Sequence, residues 1–486
     1  MRGSEHLEAG PSGPSSTPEE APRVAVVGGG MAGLSAALSL TDADPPPAVV
    51  LLEADGRLGG KIRTEAFAGR HVDTGPDAFL ARVPDAIELC RRLGLADELV
   101  APATGRAFLW VRGALRPLPE GLALGVPTRL GPLARSGILS PLGVARVALD
   151  LVLPGRPPPG DRSVGDLVRP RLGAQAYQRL VDPLVGGIHA GRADRLSAAA
   201  AAPRLDLAAR RSASLIRGLR SGADGGGAGP VFLTHPQGLT RVVERLDEEL
   251  AARGVARWTG TTVRALDPGG GAWTLDTTTG PVVADAVVLA LPAPGAAGLL
   301  APHAPGAAGV LGAIAHAGVS VVTLAYPTTA LPHPLEGSGF LVPATEGRLT
   351  TACTWSSAKW PHLGGDDRVL LRASTGRLGD ERHAELDEEA LVARVHGEVA
   401  EALGLAAAGP ELWRVTRWPG AFPQYAPGHH EALRGVEAGL EALPPLALAG
   451  AAYQGIGIPA CIAGGARAAN RVLEALRRGA PAGGGG

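Results

Sequence analysis

Three glycines at positions 28, 30 and 33, within VAVVGGGMAGLSAAL (Val24 to Leu38), have the spacing that brings a backbone against a phosphate. The four apolar residues before them predict a buried strand, and the small residues after them predict a helix. Gly28 permits the tight turn, Gly30 lets the chain approach a pyrophosphate, and Gly33 lets helix and strand pack closely. The helix N-terminus then offers free N–H groups and the positive end of its dipole. VVLLEAD follows as a second strand ending at Glu53, twenty residues after Gly33, where a carboxylate can accept hydrogen bonds from ribose hydroxyls. The chemistry this predicts is dinucleotide binding, with nicotinamide and flavin both open.

Other elements must hold that turn in place. LALAG (Leu446 to Gly450) predicts another buried strand, and Pro459 suits the first turn of a terminal helix that starts after Gly455 and Gly457. HPQGLTRVVERLDEEL (His235 to Leu250) predicts a turn and an amphipathic helix. Residues 254–294 then predict a strand meander with DPGGG as its hairpin turn and VVLALP as a buried strand. Pro84 and Asp85 are expected to cap a short helix with Ile87, Leu89 and Leu93 inward and Gly94 as its stop. From Leu109 to about Asp194 the chain is helical in period and rich in Leu, Val and Arg. Such a lobe serves either as a cap over a pocket or as an amphipathic face resting on a membrane. In residues 296–440, GVSVVTLAYP and RVLLRASTG predict strands. Asp387 is placed to cap a helix with Leu391, Val392, Val395, Val399 and Leu403 on one face.

Composition bounds the rest. With 486 residues, a net charge of -1 and 45% hydrophobic residues, the chain is long enough for about three domains and is neither disordered nor a basic nucleic-acid binder. Gly 70 and Pro 43 approach the range of low-complexity chains. Cys90, Cys353 and Cys461 lie far apart without a CxxC pair, which argues for a reducing cytoplasm and against disulfides or a structural metal. Glu5 and Glu8 fall where a signal peptide needs positive charge, so residues 1–21 are expected to form a disordered tail and residues 479–486 a flexible one. Residues 286–335 carry no Asp, Glu, Lys or Arg, but their prolines and glycines favour a short helix and a buried strand over a membrane span. Lys61 and Lys359 are the only lysines.

Behind Glu53, ADGRLGGKIRT adds a second glycine pair and resembles the FAD-binding oxidoreductases related to amine oxidases and phytoene desaturases. Five further blocks are GPDAFLAR (Gly75 to Arg82), VDPLVGGIHAG (Val181 to Gly191), TACTWSSAKWPH (Thr351 to His362), RWPGAFPQYAPGHH (Arg417 to His430) and YQGIGIPACIAGG (Tyr453 to Gly465). With them, the chain resembles the bacterial coproporphyrinogen III and protoporphyrinogen oxidases almost colinearly from Val24 to Leu476. Ser374 departs from that pattern, which usually has an aromatic there, so a pocket of different shape is expected at that position.

The resemblance implies an α/β fold, α+β overall: a Rossmann-like FAD-binding domain of the amine-oxidase and phytoene-desaturase type, an inserted mixed-sheet substrate domain and a helical lobe. The expected pieces are 22–75, 230–295 and 441–478 for FAD; 76–108, 195–229 and 296–440 for substrate; and 109–194 for the lobe. The cofactor residues implied are Gly28, Gly30, Met31, Ala32, Gly33, Glu53, Ala54, Arg57, Gly59, Gly60, Lys61, Gly75, Pro76, Asp77, Val263, Trp418, Gly450, Gly457, Ile458 and Pro459. The terminal helix is implied to point its N-terminus at the flavin, stabilising negative charge on the reduced ring.

The implied reaction removes six electrons from coproporphyrinogen III in three hydride transfers to FAD, with molecular oxygen reoxidising the flavin and three hydrogen peroxide released. The flavin does the redox chemistry, and no side-chain base is assigned. A tetracarboxylate substrate calls for cations around an apolar pocket, and the candidates are Arg82, Lys359, Arg372, Arg377 and His429. Protoporphyrinogen IX, an amine or carotenoid substrate, and a non-catalytic FAD-binding scaffold are the alternatives. A ferrochelatase partner and peripheral membrane contact stay open, and no metal or nucleic acid is expected.

Overall fold

A computed structural model describes residues 21–153, 155, 159–221, 229–365, 367–406 and 409–479. Nearly all of both expected tails therefore lies outside the described residues. At the centre is a five-stranded parallel sheet in the order Ala256–Trp258, Ala48–Leu52, Arg23–Val27, Ala286–Leu289, Leu446–Leu448. Apart from the edge strand Ala256–Trp258, its strands are nearly continuous apolar runs because both faces are covered. Val24, Val26 and Leu51 pack under the helices Met31–Leu40, Thr240–Ala252 and Ile458–Gly479. Ala25, Val27 and Leu52 pack under the antiparallel meander Val263–Gly269, Ala272–Thr277, Val282–Ala284, whose hairpin turns at Gly270 and Gly271 as expected. The first strand is central and the chain winds outward to both sides of it, so the crevice at the carboxyl ends of the strands falls beside residues 28–30.

A seven-stranded mixed sheet runs Leu412–Pro423, His316–Pro327, Arg368–Thr375, Thr350–Thr354, Gly339–Leu341, Phe108–Trp110, Leu115–Pro117. Val322, Leu324, Leu371 and Ala373 pack against the helix Glu388–Leu403, which Asp387 caps by accepting from Ala390 N at 2.7 Å. Strand alternation turns Arg372, Ser374, Thr416 and Trp418 to the opposite face, toward the parallel sheet.

The helical part differs from expectation at both ends. Residues 108–127 form short strands, two of which join the seven-stranded sheet, because Arg112 and Gly113 reverse the chain at positive φ; helix begins only at Leu130. Beyond residue 194, Ala198, Leu205, Ala209 and Ile216 share one core with Leu167 and Leu180, so the helical core continues past that point. Tyr177–Gly186 is a π-helix with Pro183, which cannot donate a backbone hydrogen bond, inside it. At Pro84–Arg92 the N-cap is Val83, not Asp85, and no side chain caps it. Among the described residues no helix is long and apolar enough to cross a membrane; residues 305–327 form the expected helix and buried strand.

Candidate cofactor and substrate site

The first glycine turn has the three properties its spacing implies. Gly28 has φ +106°, and a Cβ there would meet Ala290 O at 2.4 Å. A Cβ on Gly33 would meet Gly28 O at 1.9 Å, whereas one on Gly30 would find nothing within 4 Å. The helix that starts at Met31, with Ala32 and Gly33 in its first turn, has Gly30 as N-cap, no side-chain cap and no acidic residue in that turn. Its first-turn N–H groups and dipole therefore have no side-chain cap or carboxylate of this turn to satisfy them.

Glu53 follows its strand, with Oε2 accepting from Gly29 N at 2.6 Å and Oε1 from Asp55 N at 2.8 Å. Both oxygens keep acceptor capacity for ribose hydroxyls. Ala54 is exposed beside it. Glu53 O also accepts from Thr261 N at 2.8 Å, which brings the start of the meander and Val263 to this end of the crevice.

The second glycine turn lies on the first, with Gly59 N donating to Gly29 O at 2.8 Å. Arg57 turns inward and donates to Leu58 O and Ile62 O at 3.0 Å and to Gly60 O at 2.7 Å, so its guanidinium holds this turn together. Lys61 Nζ donates to Ala421 O at 2.6 Å, and desolvation of the ammonium at this end lowers its pKa although the residue as a whole is exposed. A Cβ on Gly75 would meet Lys61 O at 2.0 Å and Trp418 Cζ2 at 3.6 Å. Trp418 Nε1 in turn donates to Thr74 O at 2.9 Å. Lys61, Gly75, Pro76 and Trp418 therefore border one region between the two sheets. Gly450 follows the last parallel strand at φ +127°, and Gly457 precedes the helix whose first residues are Ile458 and Pro459 and whose first turn carries no acid.

Asp77 departs from the pattern of the other expected cofactor residues. Its Oδ2 accepts from Lys359 Nζ at 3.0 Å and Trp360 Nε1 at 3.1 Å and lies 3.5 Å from Arg372 Nη1. Burial works to raise its pKa, but the two cations and their hydrogen bonds outweigh that and hold the carboxyl well below the usual range. Nearby Asp73, accepting from Thr64 Oγ1 at 2.5 Å and Leu239 N at 3.0 Å, is pushed up to about 6 by burial.

The five expected substrate cations do not converge on one spot. Lys359 and Arg372 are engaged by Asp77, and Arg372 Nη2 also donates to Gly75 O at 2.5 Å. Arg82 is exposed beyond the two-residue strand Phe79–Leu80. His429 is only 6% exposed, stacks on Tyr425 with ring centroids 4.4 Å apart, and approaches Tyr453 O at 3.2 Å; burial lowers its pKa, so it is a neutral packed ring and not a cation. Arg377 has no hydrogen-bond partner for its guanidinium among the described residues. Burial lowers its pKa, against the through-space pull of Asp182 and Asp380.

Leu378, beside Arg377, packs with Ala190, Ala317, Val319, Trp418 and Phe422 in an apolar patch that joins the end of the π-helical segment to the sheet. Sequence reasoning missed Thr74, Trp360 and Ala421 as partners, although Trp360 stands inside the TACTWSSAKWPH block. Among the described residues no cluster of His, Cys, Asp and Glu could hold a metal.

An open approach at Gly30, two helix N-termini without acids, a ribose-ready carboxylate and a second glycine turn stacked on the first fit a flavin dinucleotide, and the protein is a flavin-dependent oxidoreductase. Residues 31–473 match the flavin containing amine oxidoreductases, and the chain belongs to that family. Its cofactor is FAD. The chain is 33% identical over 472 residues to the coproporphyrinogen III oxidase of Bacillus subtilis (strain 168), covering 93% of this chain and 98% of that protein. It is 38% identical over 456 residues to the coproporphyrinogen III oxidase of Mycobacterium tuberculosis (strain ATCC 25618 / H37Rv), covering 93% and 97%. A solved structure from Exiguobacterium sp. 255-15 superimposes with TM-score 0.84 at 32% identity, covering 95% of this chain and all of that one.

Proposed function

We propose that this protein oxidises coproporphyrinogen III to coproporphyrin III. Six hydrogens leave the porphyrinogen in three two-electron oxidations, FAD accepting each electron pair and molecular oxygen carrying it off as hydrogen peroxide, three per porphyrin. The observation that carries this reading is an apolar patch whose half-buried face is Leu378, Trp418 and Phe422, seated on the buried Ala190 and Val319, because Trp418 belongs at once to that patch and to the cofactor border through Thr74. A flat macrocycle laid on it adjoins the flavin region. The pyrophosphate of FAD is assigned to Gly30 and the first turn of the Met31 helix, its ribose to Glu53, and the flavin to the border formed by Lys61, Gly75, Trp418 and the Ile458 helix N-terminus. Arg377, whose guanidinium has no hydrogen-bond partner among the described residues and feels Asp182 and Asp380 only through space, is the residue best suited to a propionate. Assaying the purified holoenzyme with coproporphyrinogen III and protoporphyrinogen IX tests the substrate. We expect at least tenfold higher kcat/KM for the tetracarboxylate, and the reverse order would assign the chain to protoporphyrinogen.

The helical lobe supports peripheral lipid contact, because Leu142 is 83% and Val152 72% exposed on one segment with Leu149 and Leu153 also exposed. Flotation with anionic vesicles should carry the protein, and Leu142→Glu should reduce that. Protein left wholly at the bottom of the gradient would remove this part of the proposal.

A further inference from the structure

The segment from Thr74 to Asp77 has no regular structure of its own, yet it separates the second glycine turn from the seven-stranded sheet. On the cofactor side it is pressed so closely that no side chain fits at Gly75, with Lys61 O 2.0 Å from the position a Cβ would take. On the sheet side three of its four residues are held. Thr74 O accepts from Trp418 Nε1 at 2.9 Å, Gly75 O from Arg372 Nη2 at 2.5 Å, and Asp77 Oδ2 from Lys359 and Trp360 at 3.0 and 3.1 Å. Every one of these donors belongs to the sheet or to the connection between its strands Thr350–Thr354 and Arg368–Thr375, where Lys359 ends the short helix Ser356–Lys359. Asp77 is the only charge on the segment, and it is also what keeps Lys359 and Arg372 together, two cations that are 15% and 10% exposed. Without it they repel each other in a poorly hydrated place.

We propose that Asp77 is a positioning residue. Through Lys359, Trp360 and Arg372 it locks the Thr74–Asp77 segment, and the flavin border it forms with Lys61 and Trp418, to the sheet that carries the substrate patch. In this role Lys359 and Arg372 serve Asp77 and not the carboxylates of the porphyrinogen. The inference rests on the porphyrinogen-oxidase reading, so its test includes a readout that needs no substrate.

The variants are Asp77→Asn, nearly isosteric but uncharged, and Lys359→Met, which leaves Asp77 paired with Arg372 and Trp360. Each is loaded with FAD and mixed anaerobically with coproporphyrinogen III while flavin absorbance is followed. A misplaced cofactor border lowers the limiting rate of flavin reduction by about tenfold to a hundredfold in Asp77→Asn. In Lys359→Met the rate falls at least threefold, and in both variants the substrate dissociation constant stays within threefold of wild type. A wild-type limiting rate in Asp77→Asn overturns the proposal. So does a tenfold weaker dissociation constant at unchanged rate in Lys359→Met, which would make Lys359 a substrate ligand. Should Asp77→Asn fail to accumulate with FAD, Lys359→Met decides alone by the same criteria. If wild-type flavin is not reduced by the porphyrinogen, the functional reading fails, and the melting temperatures of both variants and their double test the latch by themselves. Coupled residues lose less in the double variant than the two single losses combined; strict additivity overturns the proposal.

Discussion

Gly30→Ala separates what the fold requires from what the cofactor requires. Gly30 has φ -72° and ψ 177°, which alanine adopts freely, and its added Cβ meets no protein atom within 4 Å. The cofactor-free variant should therefore be as stable as wild type or more stable by about 0.4–1 kcal/mol, since alanine narrows the unfolded ensemble. If that open space is where the pyrophosphate comes against the backbone, the same methyl is forced into a close contact once FAD binds. Overpacking of that size costs about 1–3 kcal/mol, which weakens FAD binding roughly 5- to 150-fold. Denaturant unfolding of the cofactor-free proteins gives the first quantity, and quenching of flavin fluorescence on titration gives the second. Unchanged FAD affinity would refute the assignment of the pyrophosphate to this turn, and a loss of more than about 1 kcal/mol in the cofactor-free protein would refute the open-space argument.

Further outcomes follow from the same geometry. Gly33→Ala puts a methyl 1.9 Å from Gly28 O, a backbone atom that cannot yield, so this variant should lose more than about 3 kcal/mol or fail to accumulate; soluble yield and melting temperature check it. Trp418→Phe removes the donor to Thr74 O and should cost about 1 kcal/mol in denaturant unfolding. His189 is buried and its pKa is pushed down to about 4, so as pH falls from 6.5 the unfolded chain takes the proton first, and stability present above 6.5 is lost toward 4. Compared with wild type, His189→Gln should therefore gain about 3 kcal/mol between pH 7 and pH 4 in denaturant unfolding. Asp73, raised to about 6, acts in the opposite sense over an overlapping range, so the wild-type pH profile is flatter than either group alone would give.

The parts of this molecule legible in the sequence are those whose cause is local. The close packing of Gly33 on Gly28, the DPGGG hairpin and the Asp387 cap each depend on neighbours a few residues away, and the strand at residues 316–327 announces itself by its own apolar, β-branched run; each has its expected form. Asp77 and Lys359 are 282 residues apart, and no periodicity pairs one carboxylate with one lysine over that distance. For the same reason Lys359 and Arg372 looked available to substrate. From sequence Arg57 is expected only as a cofactor residue, because the three carbonyls that bind it converge only once Gly59 and Gly60 have turned. Of the strands at residues 108–127, Phe108–Trp110 was hidden inside an apparently helical stretch because its partner Gly339–Leu341 lies over 200 residues on, while the others, two or three residues long, pair locally and are too short to show an alternating pattern. His429 stood beside other polar residues in sequence, and only the stacked Tyr425 ring reveals that it is packed.

The most direct measurement of the central claim is an anaerobic mixing experiment on the FAD-loaded protein with coproporphyrinogen III. The visible flavin absorbance should bleach. On admitting oxygen, coproporphyrin III fluorescence and three hydrogen peroxide per porphyrin should appear. A flavin that stays oxidised in the presence of the porphyrinogen, yet bleaches with dithionite, would contradict it.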